Sequence, residues 1–184
     1  MVLEQLSERQ PAVVEDIVPQ AVSVTLLHRV LKNLLKEGIP IRDLVTILET
    51  LAERVRQTED SDVLTEYVRQ ALARSISECF RSQGRIRVLA LEPSLEEQIL
   101  LFSKQTEGSS AFQNPQEMRD LVNRIREPAQ KFYEEGMTPI VLCRPSARIA
   151  VRHLMEKVMP DLVVLSLSEI TPDTELETQG VMSA

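Results

Sequence analysis

The stretch Asn33–Glu53, NLLKEGIPIRDLVTILETLAE, contains the end of one helix, a short extended turn and the start of a second helix. Leucines at helical spacing precede Gly38, which stands where a helix C-terminus favours a left-handed residue. Pro40 resists helix, so the next residues are expected to be extended. Asp43 is then placed to cap a second helix. The apolar stripe of that helix consists of Leu44, Ile47, Leu48, Leu51 and Val55.

The chain after this pair predicts one more helix in the first half. The segment QTEDSD (57–62) is polar and reads as a connection. Apolar residues then return at helical spacing and continue until Gly84. They are Leu64, Tyr67, Val68, Leu72, Ile76 and Phe80. We therefore predict an all-helical subdomain over residues 1–83.

Short apolar runs in the second half predict strands separated by helices. The strand segments are RIRVLAL (85–91), PIVLC (139–143) and DLVVLS (161–166). Helical patterns occupy about 94–104, 115–135 and 146–159, and Pro128 is expected to kink or break the second of them. Strands that alternate with helices indicate a mostly parallel sheet with right-handed crossovers.

The sequence therefore predicts a mixed fold, in which the all-α subdomain is followed by a small α/β subdomain over residues 84–184. That subdomain should hold a mostly parallel, three-stranded sheet. Its tail, EITPDTELETQGVMSA, has four acidic residues and no basic residue, and is expected to fray or pack loosely.

Two helices joined by a tight turn also occur in DNA-binding proteins, but the charge pattern argues against that use. The second helix would offer Arg42, Arg54 and Arg56 to DNA, yet Glu49 and Glu53 share the same segment. The chain has 21 basic and 28 acidic residues, a net charge of −7, whereas nucleic-acid binders concentrate Lys and Arg. We expect no nucleic-acid partner, and a DNA-binding regulator is kept only as a further alternative.

The segment CRPSARIAVRH (143–153) is the most enzyme-like part of the chain. Cys143 ends a predicted strand, and a helix N-terminus after it could bind an anion through Arg144, Ser146 and Arg148. Four residues separate Cys143 from Arg148, where the cysteine phosphatase pattern has five, and no glycine lets the loop wrap a phosphate. A small anion-binding or hydrolytic α/β protein that uses the Cys143–Arg148 loop remains the alternative.

Other catalytic and cofactor patterns are missing from the sequence. The five glycines are isolated, so neither a dinucleotide-binding motif nor a P-loop can be written. Two cysteines and two histidines, far apart, give no metal-site spacing. No run of about 18 apolar residues exists, so no membrane-spanning segment is expected. We predict no catalytic residue, no cofactor and no metal, and expect a non-enzymatic role in interaction or assembly.

A longer segment, PAVVEDIVPQAVSVTLLHRVLKNLLKEGIPIRDLVTILETLAE (11–53), closely resembles the cytoplasmic region of the FlhA export-gate family of flagellar and virulence type III secretion systems. LTEYVRQALARSI (64–76) is similar to the third helix of that region, and residues 139–170 resemble its terminal α/β part. The resemblance is looser over residues 92–136.

The resemblance implies a large bacterial inner-membrane protein with a cytoplasmic half of four subdomains, of which this chain resembles the all-helical third and the α/β fourth. Family members form a nonameric ring beneath the export channel and receive export chaperones, cargo and export-apparatus components. We therefore expect a position at the cytoplasmic face of the inner membrane. The segment LEQLSERQ resembles the end of a preceding element, so Met1 is expected to be a fragment start.

The resemblance also places the opening helix pair in subunit packing within a ring. On that reading, Arg42 and Asp43 shape the turn, and Arg42 reaches a neighbouring subunit or the preceding subdomain. Together with Glu15 and Asp16, they are the candidate interface residues. Flagellar and virulence systems remain open alternatives, and RDLVTILETLAE favours the flagellar type.

Overall fold

The structure is a computed structural model that describes residues 22–106 and 115–183. The described residues contain seven α-helices and one parallel sheet of four strands. The predicted mixture of helical and α/β structure is confirmed, whereas the predicted count of three strands is wrong.

The first helices are α1 (Val24–Lys36), α2 (Leu44–Arg54), α3 (Ser61–Ala71) and α4 (Ala73–Phe80). The single helix predicted over 64–80 is therefore divided, with the break at Leu72 (φ −87°, ψ 13°). Neither glycine nor proline marks that position, so no local signal announces the break. Helix α3 packs against both α1 and α2, while α1 and α2 make few contacts with each other.

Side-chain caps explain where three of these helices begin. Ser23, Asp43 and Asp60 each accept a hydrogen bond from a backbone N–H in the first turn. The end of α1 is set by Gly38, whose positive φ of 70° lets the N–H of Ile39 donate to the carbonyl of Leu34 at 3.0 Å. This is the left-handed helix end that the sequence predicted.

The second half contains β1 (Arg85–Leu91), α5 (Pro93–Thr106), α6 (Pro115–Glu134), β2 (Ile140–Cys143), α7 (Pro145–Met155), β3 (Val163–Ser166), a short 3-10 helix (Leu167–Glu169) and β4 (Glu175–Met182). The strand order is β3-β2-β1-β4, and all pairs are parallel. Because β1 to β2 and β2 to β3 step in the same direction, right-handed crossovers bring α5, α6 and α7 to one face of the sheet.

The core of the α/β part lies between that face and those helices. The strands contribute Leu89, Val141 and Val164, each at most 3% exposed. The three helices cover these side chains with Ile99, Ile125, Val151 and other buried residues. Helix α6 runs through Pro128 without the break expected there, so the missing N–H of one proline does not end it.

The C-terminal tail is an ordered strand, which corrects the expectation that it frays. Strand β4 pairs with β1 over its whole length, with Glu175 opposite Arg85 and Glu177 opposite Arg87. It is an edge strand with little burial, so backbone pairing and cross-strand charge pairs hold it in place. An edge strand of this kind has no apolar run, which is why the apolar pattern did not reveal it.

Strand β1 starts from a tight turn. Gln83 and Gly84 both have positive φ, 52° and 87°, and two backbone hydrogen bonds of 2.9 and 3.2 Å join Ser82 and Arg85. Two successive positive φ values define the mirror-image turn that Gly at the second position favours.

The described residues form two compact units. The helical unit consists of the residues up to Phe80 together with Glu169–Thr171, and the α/β unit consists of Arg81–Ser168 and the residues from Pro172 onward.

Candidate functional site

The turn between α1 and α2 carries the first pair of candidate interface residues. The Asp43 carboxylate accepts hydrogen bonds from the N–H of Thr46 at 3.1 Å and from its hydroxyl at 2.7 Å. The Asp43 carboxylate therefore caps the N-terminus of its own helix.

Arg42 is in a different situation, although it is the neighbouring residue. Its side chain is exposed, and it has no hydrogen-bond or ion-pair partner among the described residues. Glu15 and Asp16, the other two candidate interface residues, lie outside the described part of the chain.

Helix α1 carries further exposed cations. The helix has no acidic residue, and Arg29, Lys32 and Lys36 are all exposed on it. We call Arg29, Lys32, Lys36 and Arg42 the basic band. Within residues 22–106 and 115–183, none of the four has an ion-pair partner.

Two apolar side chains accompany the basic band. Val24 and Leu35 lie on the same helix, and each is 56% exposed. Helix α1 therefore presents both exposed cations and exposed apolar side chains to its surroundings. Charge counted over the whole chain does not reveal this band, because the signal is confined to one 13-residue helix without acidic residues.

A buried charge cluster in the helical unit was also missed. Arg69 is fully buried, and its Nε and Nη2 donate to the two carboxylate oxygens of Glu169 at 2.7 and 3.1 Å. Its Nη1 lies 3.2 Å from Glu37 Oε2. Ser77 Oγ donates to the Glu169 carbonyl at 3.1 Å and accepts from the Thr171 N–H at 3.0 Å. We call this cluster the Arg69 clasp.

The Arg69 clasp has no sequence signal because Arg69 and Glu169 are 100 residues apart. It has one consequence for the surface. Because Glu37 is held by Arg69, the first acidic residue after α1 does not neutralise the basic band.

The predicted anion site lies at the N-terminus of α7, and an anion from the same chain already occupies that position. Glu96, in the first turn of α5, is 1% exposed, and its Oε1 accepts the N–H of Arg144 at 2.7 Å. Its Oε2 pairs with Arg144 Nε. The Glu96 carboxylate thus satisfies the helix terminus in the way that a bound anion would.

The other residues of the predicted anion site lie in different environments. Ser146 is exposed, whereas Arg148 is 3% exposed and has partners inside the protein. The Cys143 thiol is buried, with its Sγ 3.6 Å from the carbonyl oxygen of Leu165. A thiol enclosed in this way lacks the access that a nucleophile needs.

Exposed arginines and carboxylates pair across β1 and β4. Glu177 lies 3.2 Å from Arg85 and 3.4 Å from Arg87. The hydrogen bond from Arg85 is the main reason why the pKa of Glu177 is held below its ordinary value of 4.5. Within the described residues, no group of three or more His, Cys, Asp or Glu side chains is arranged to hold a metal ion.

Comparison with known proteins assigns the chain to a family. Residues 1–175 match the model of the FHIPEP family. The chain belongs to the FHIPEP family. This FHIPEP chain is 37% identical over 182 residues to the flagellar biosynthesis protein FlhA of Bacillus subtilis (strain 168). The match covers 98% of the chain and 27% of that FlhA. The resemblance to the export-gate family is thus confirmed.

Solved structures give the same relationship. The Chlamydia pneumoniae CdsV protein superposes on the FHIPEP chain with a TM-score of 0.81 at 30% identity, covering 98% of the chain and 52% of CdsV. CdsV in its complex with CdsO matches with a TM-score of 0.77 at 31% identity. This match covers 98% of the FHIPEP chain and 54% of the matched chain.

A nonameric structure also shares the fold. The EscV cytosolic domain from a type III secretion system was solved as a nonamer. It matches the FHIPEP chain with a TM-score of 0.78 at 24% identity, and the match covers 98% of the FHIPEP chain and 54% of the EscV chain. The FHIPEP chain spans about a quarter of the curated relative and about half of these solved chains. Across the described segments, no helix combines the length and apolarity needed to cross a membrane.

Proposed function

We propose that this chain is the C-terminal cytoplasmic portion of a protein-export gate component of a flagellar or type III secretion system. In this role, it is a non-enzymatic module that assembles with copies of itself into a ring. It also takes part in docking export chaperones, cargo and export-apparatus components at the cytoplasmic face of the inner membrane. Residues 1–83 and 84–184 would be the third and fourth cytoplasmic subdomains.

The observation that carries the proposal is the family match over residues 1–175. Similarity to CdsV supports the docking role, since a CdsV structure includes CdsO. The shared fold with the nonameric EscV domain supports the ring. The basic band supports assembly on physical grounds, because exposed cations that have no ion-pair partner among the described residues are complementary to acidic groups of another protein.

The structure favours no second function for the Cys143–Arg148 loop. The helix terminus that would hold a substrate anion already binds Glu96, and the thiol is buried. We therefore propose no hydrolytic activity there.

The turn between α1 and α2 offers a direct test of assembly, because its two neighbouring charges have different roles. We expect Asp43→Ala to lower the free energy of unfolding by about 1 kcal/mol, since it removes a helix N-cap. We expect Arg42→Ala to change the free energy of unfolding by less than about 0.5 kcal/mol, since the side chain is exposed and unpaired. Denaturant titration measures both.

Ring assembly and export should be affected more by Arg42→Ala than by Asp43→Ala, the reverse of the order expected for stability. Introduced into the protein as its source cells express it, Arg42→Ala should reduce ring-sized complexes in native gels and reduce secreted cargo. Asp43→Ala should affect them less at a temperature where the protein stays folded. Normal ring assembly in the Arg42→Ala protein would remove Arg42 from the interface. Absence of any self-assembly in the unaltered protein would contradict the proposed function itself.

A further inference from the structure

We infer that strand β4 (Glu175–Met182) is a latch, which opens from the sheet while the rest of the α/β unit stays folded. The inference goes beyond the proposed function and does not depend on it, because it concerns only how β4 is held. In the closed state, β4 pairs along the edge of β1. In the open state, β1 becomes an edge strand, and the exposed edge of a strand is a template for pairing with another extended chain.

Strand β4 has one buried side chain among its eight residues. Met182 is 3% exposed and belongs to the core between the sheet and its helices, whereas its neighbour Val181 is 60% exposed. Strand β3, at the other edge of the sheet, buries three of its four residues, Val164, Leu165 and Ser166. Because buried apolar contacts resist local opening, β4 is held less firmly than β3.

The ion pairs that join β4 to β1 lie at the surface. Arg85 pairs with Glu175 at 3.9 Å and with Glu177 at 3.2 Å. Arg87 pairs with Glu177 at 3.4 Å, and the two arginine side chains are 43% and 46% exposed. Exposed ion pairs contribute little to stability, since water replaces each partner when they separate. These pairs therefore align β4 without fixing it to the sheet.

A bulge interrupts the backbone ladder between β1 and β4. The register shifts between Val88 and Leu89, which leaves Gln179 as an extra residue in β4. The ladder therefore consists of two short runs. Only the second run includes Met182, so the first run has no buried side chain.

The chain immediately before β4 is fixed, which sets the point from which the latch opens. Arg81 Nη2 donates a hydrogen bond to Thr174 Oγ1 and pairs with Asp173 at 3.4 Å. Thr174 is itself buried. After β4, the contact is an exposed one, in which Arg124 Nη1 donates to the carbonyl oxygen of Ser183 at 3.3 Å. Opening therefore begins after Thr174 and leaves the preceding residues in place.

Hydrogen exchange of the unaltered chain, in urea concentrations below the unfolding transition, tests the latch. We expect the slowest amides of β4 to exchange at least about tenfold faster than those of β3, since β4 has fewer buried side chains. Their exchange should change little with urea, because opening one strand exposes little surface, whereas exchange in β3 should rise steeply. Exchange in β4 that is as slow and as sensitive to urea as exchange in β3 would overturn the inference.

Substitutions inside and outside β4 distinguish local opening from unfolding of the whole unit. Val151 is fully buried on α7, which packs against β3. We expect Val151→Ala to accelerate exchange in β3 about tenfold and to leave β4 unchanged, because this side chain stays packed in the open state. Equal acceleration of both strands by Val151→Ala would show that β4 opens only when the unit unfolds, and would refute the latch.

The contribution of the buried methionine is tested by two neighbouring positions. Met182→Ala should accelerate exchange in β4 at least about tenfold, because it removes the one buried side chain of the strand. Val181→Ala, which shortens an exposed side chain of the same strand, is the matched control and should change exchange much less. Equal effects of the two substitutions would contradict the role assigned to Met182.

Methionine oxidation gives an independent measurement on the unaltered protein. Met155 and Met182 are both buried, at 0% and 3% exposure. Dilute hydrogen peroxide should oxidise Met182 at least about tenfold faster than Met155, because opening of β4 exposes its thioether. Equally slow oxidation of the two methionines, measured by peptide mass spectrometry, would count against the open state.

Discussion

The two units of this molecule each bury a glutamate against an arginine, but they do so in different ways. In the helical unit, Glu169 and Arg69 are both at most 1% exposed at their side chains, and the guanidinium meets both carboxylate oxygens. In the α/β unit, Glu96 is buried, but the side chain of Arg144 is 41% exposed. Glu96 also accepts a backbone N–H. Both charged side chains of the first pair are therefore buried, whereas only the carboxylate of the second pair is.

This difference shows what an ion pair contributes at each depth. A fully buried pair gives little net stability, because desolvation offsets the attraction, yet losing one partner leaves a charge without compensation. A pair with one exposed partner can exchange that partner for water. A single substitution in the Arg69 clasp should therefore lower the free energy of unfolding strongly. Loss of the arginine from the Glu96 pair should lower it less.

The largest expected effect comes from breaking the Arg69 clasp. We expect Arg69→Met to lower the free energy of unfolding by about 3–5 kcal/mol, because it removes the buried guanidinium that pairs with the carboxylates of Glu169 and Glu37. The paired change Arg69→Met/Glu169→Leu should recover part of that loss, since the carboxylate that accepts two hydrogen bonds from Arg69 is then removed as well. Urea titration of the three proteins measures the difference. Equal losses in the single and double variants would show that packing, rather than the ion pair, explains the effect.

A smaller effect is expected at Glu96. Glu96→Ala should cost about 2 kcal/mol, because the N–H of Arg144 at the start of α7 loses its acceptor. Arg144→Ala should cost about 1 kcal/mol, since the carboxylate keeps its backbone hydrogen bond and water replaces the exposed guanidinium. The comparison is again made by denaturant titration. An Arg144→Ala loss as large as that of Arg69→Met would contradict the role assigned to burial.

The smallest expected effect concerns Glu177, whose ion pairs with arginine lie at the surface. Because its pKa is lowered in the folded protein, chiefly by Arg85, its contribution is full above the ordinary pKa of 4.5. That contribution is lost as the pH falls through the lowered value. The difference in unfolding midpoint between the unaltered protein and Glu177→Gln should therefore shrink as the pH falls from neutral to well below 4.5. A difference that stays constant with pH would point to a cause other than the carboxylate charge.

Local chemistry explains which structural elements could be predicted. Gly38 and Asp43 define the end of one helix and the start of the next through backbone conformation and capping, which depend on neighbouring residues alone. Strand Arg85–Leu91 could be predicted because basic and apolar residues alternate before a continuous apolar end, and its apolar side chains are the buried ones. The break at Leu72 lacked such a signal.

The candidate sites were harder to predict, because contacts between distant residues decide them. Arg144 carried the expected helix-terminus chemistry, but its anion is Glu96, 48 residues away. The basic band was present in the sequence as a helix without acidic residues. The pairing of the next acidic residue, Glu37, with Arg69 depends on a tertiary contact that no local pattern predicts.

By itself, the sequence determined most of the helices, the buried strands, the parallel sheet and the family, because periodicity, capping and family motifs act over short distances. The tertiary structure decided which charges are satisfied inside the protein and which remain for a partner. It added β4, whose stability comes from pairing with β1 some 90 residues earlier. It also set Glu169 against Arg69 and left Arg42 exposed. The physical reason is that desolvation and pairing depend on the neighbours that folding supplies, which no local pattern records.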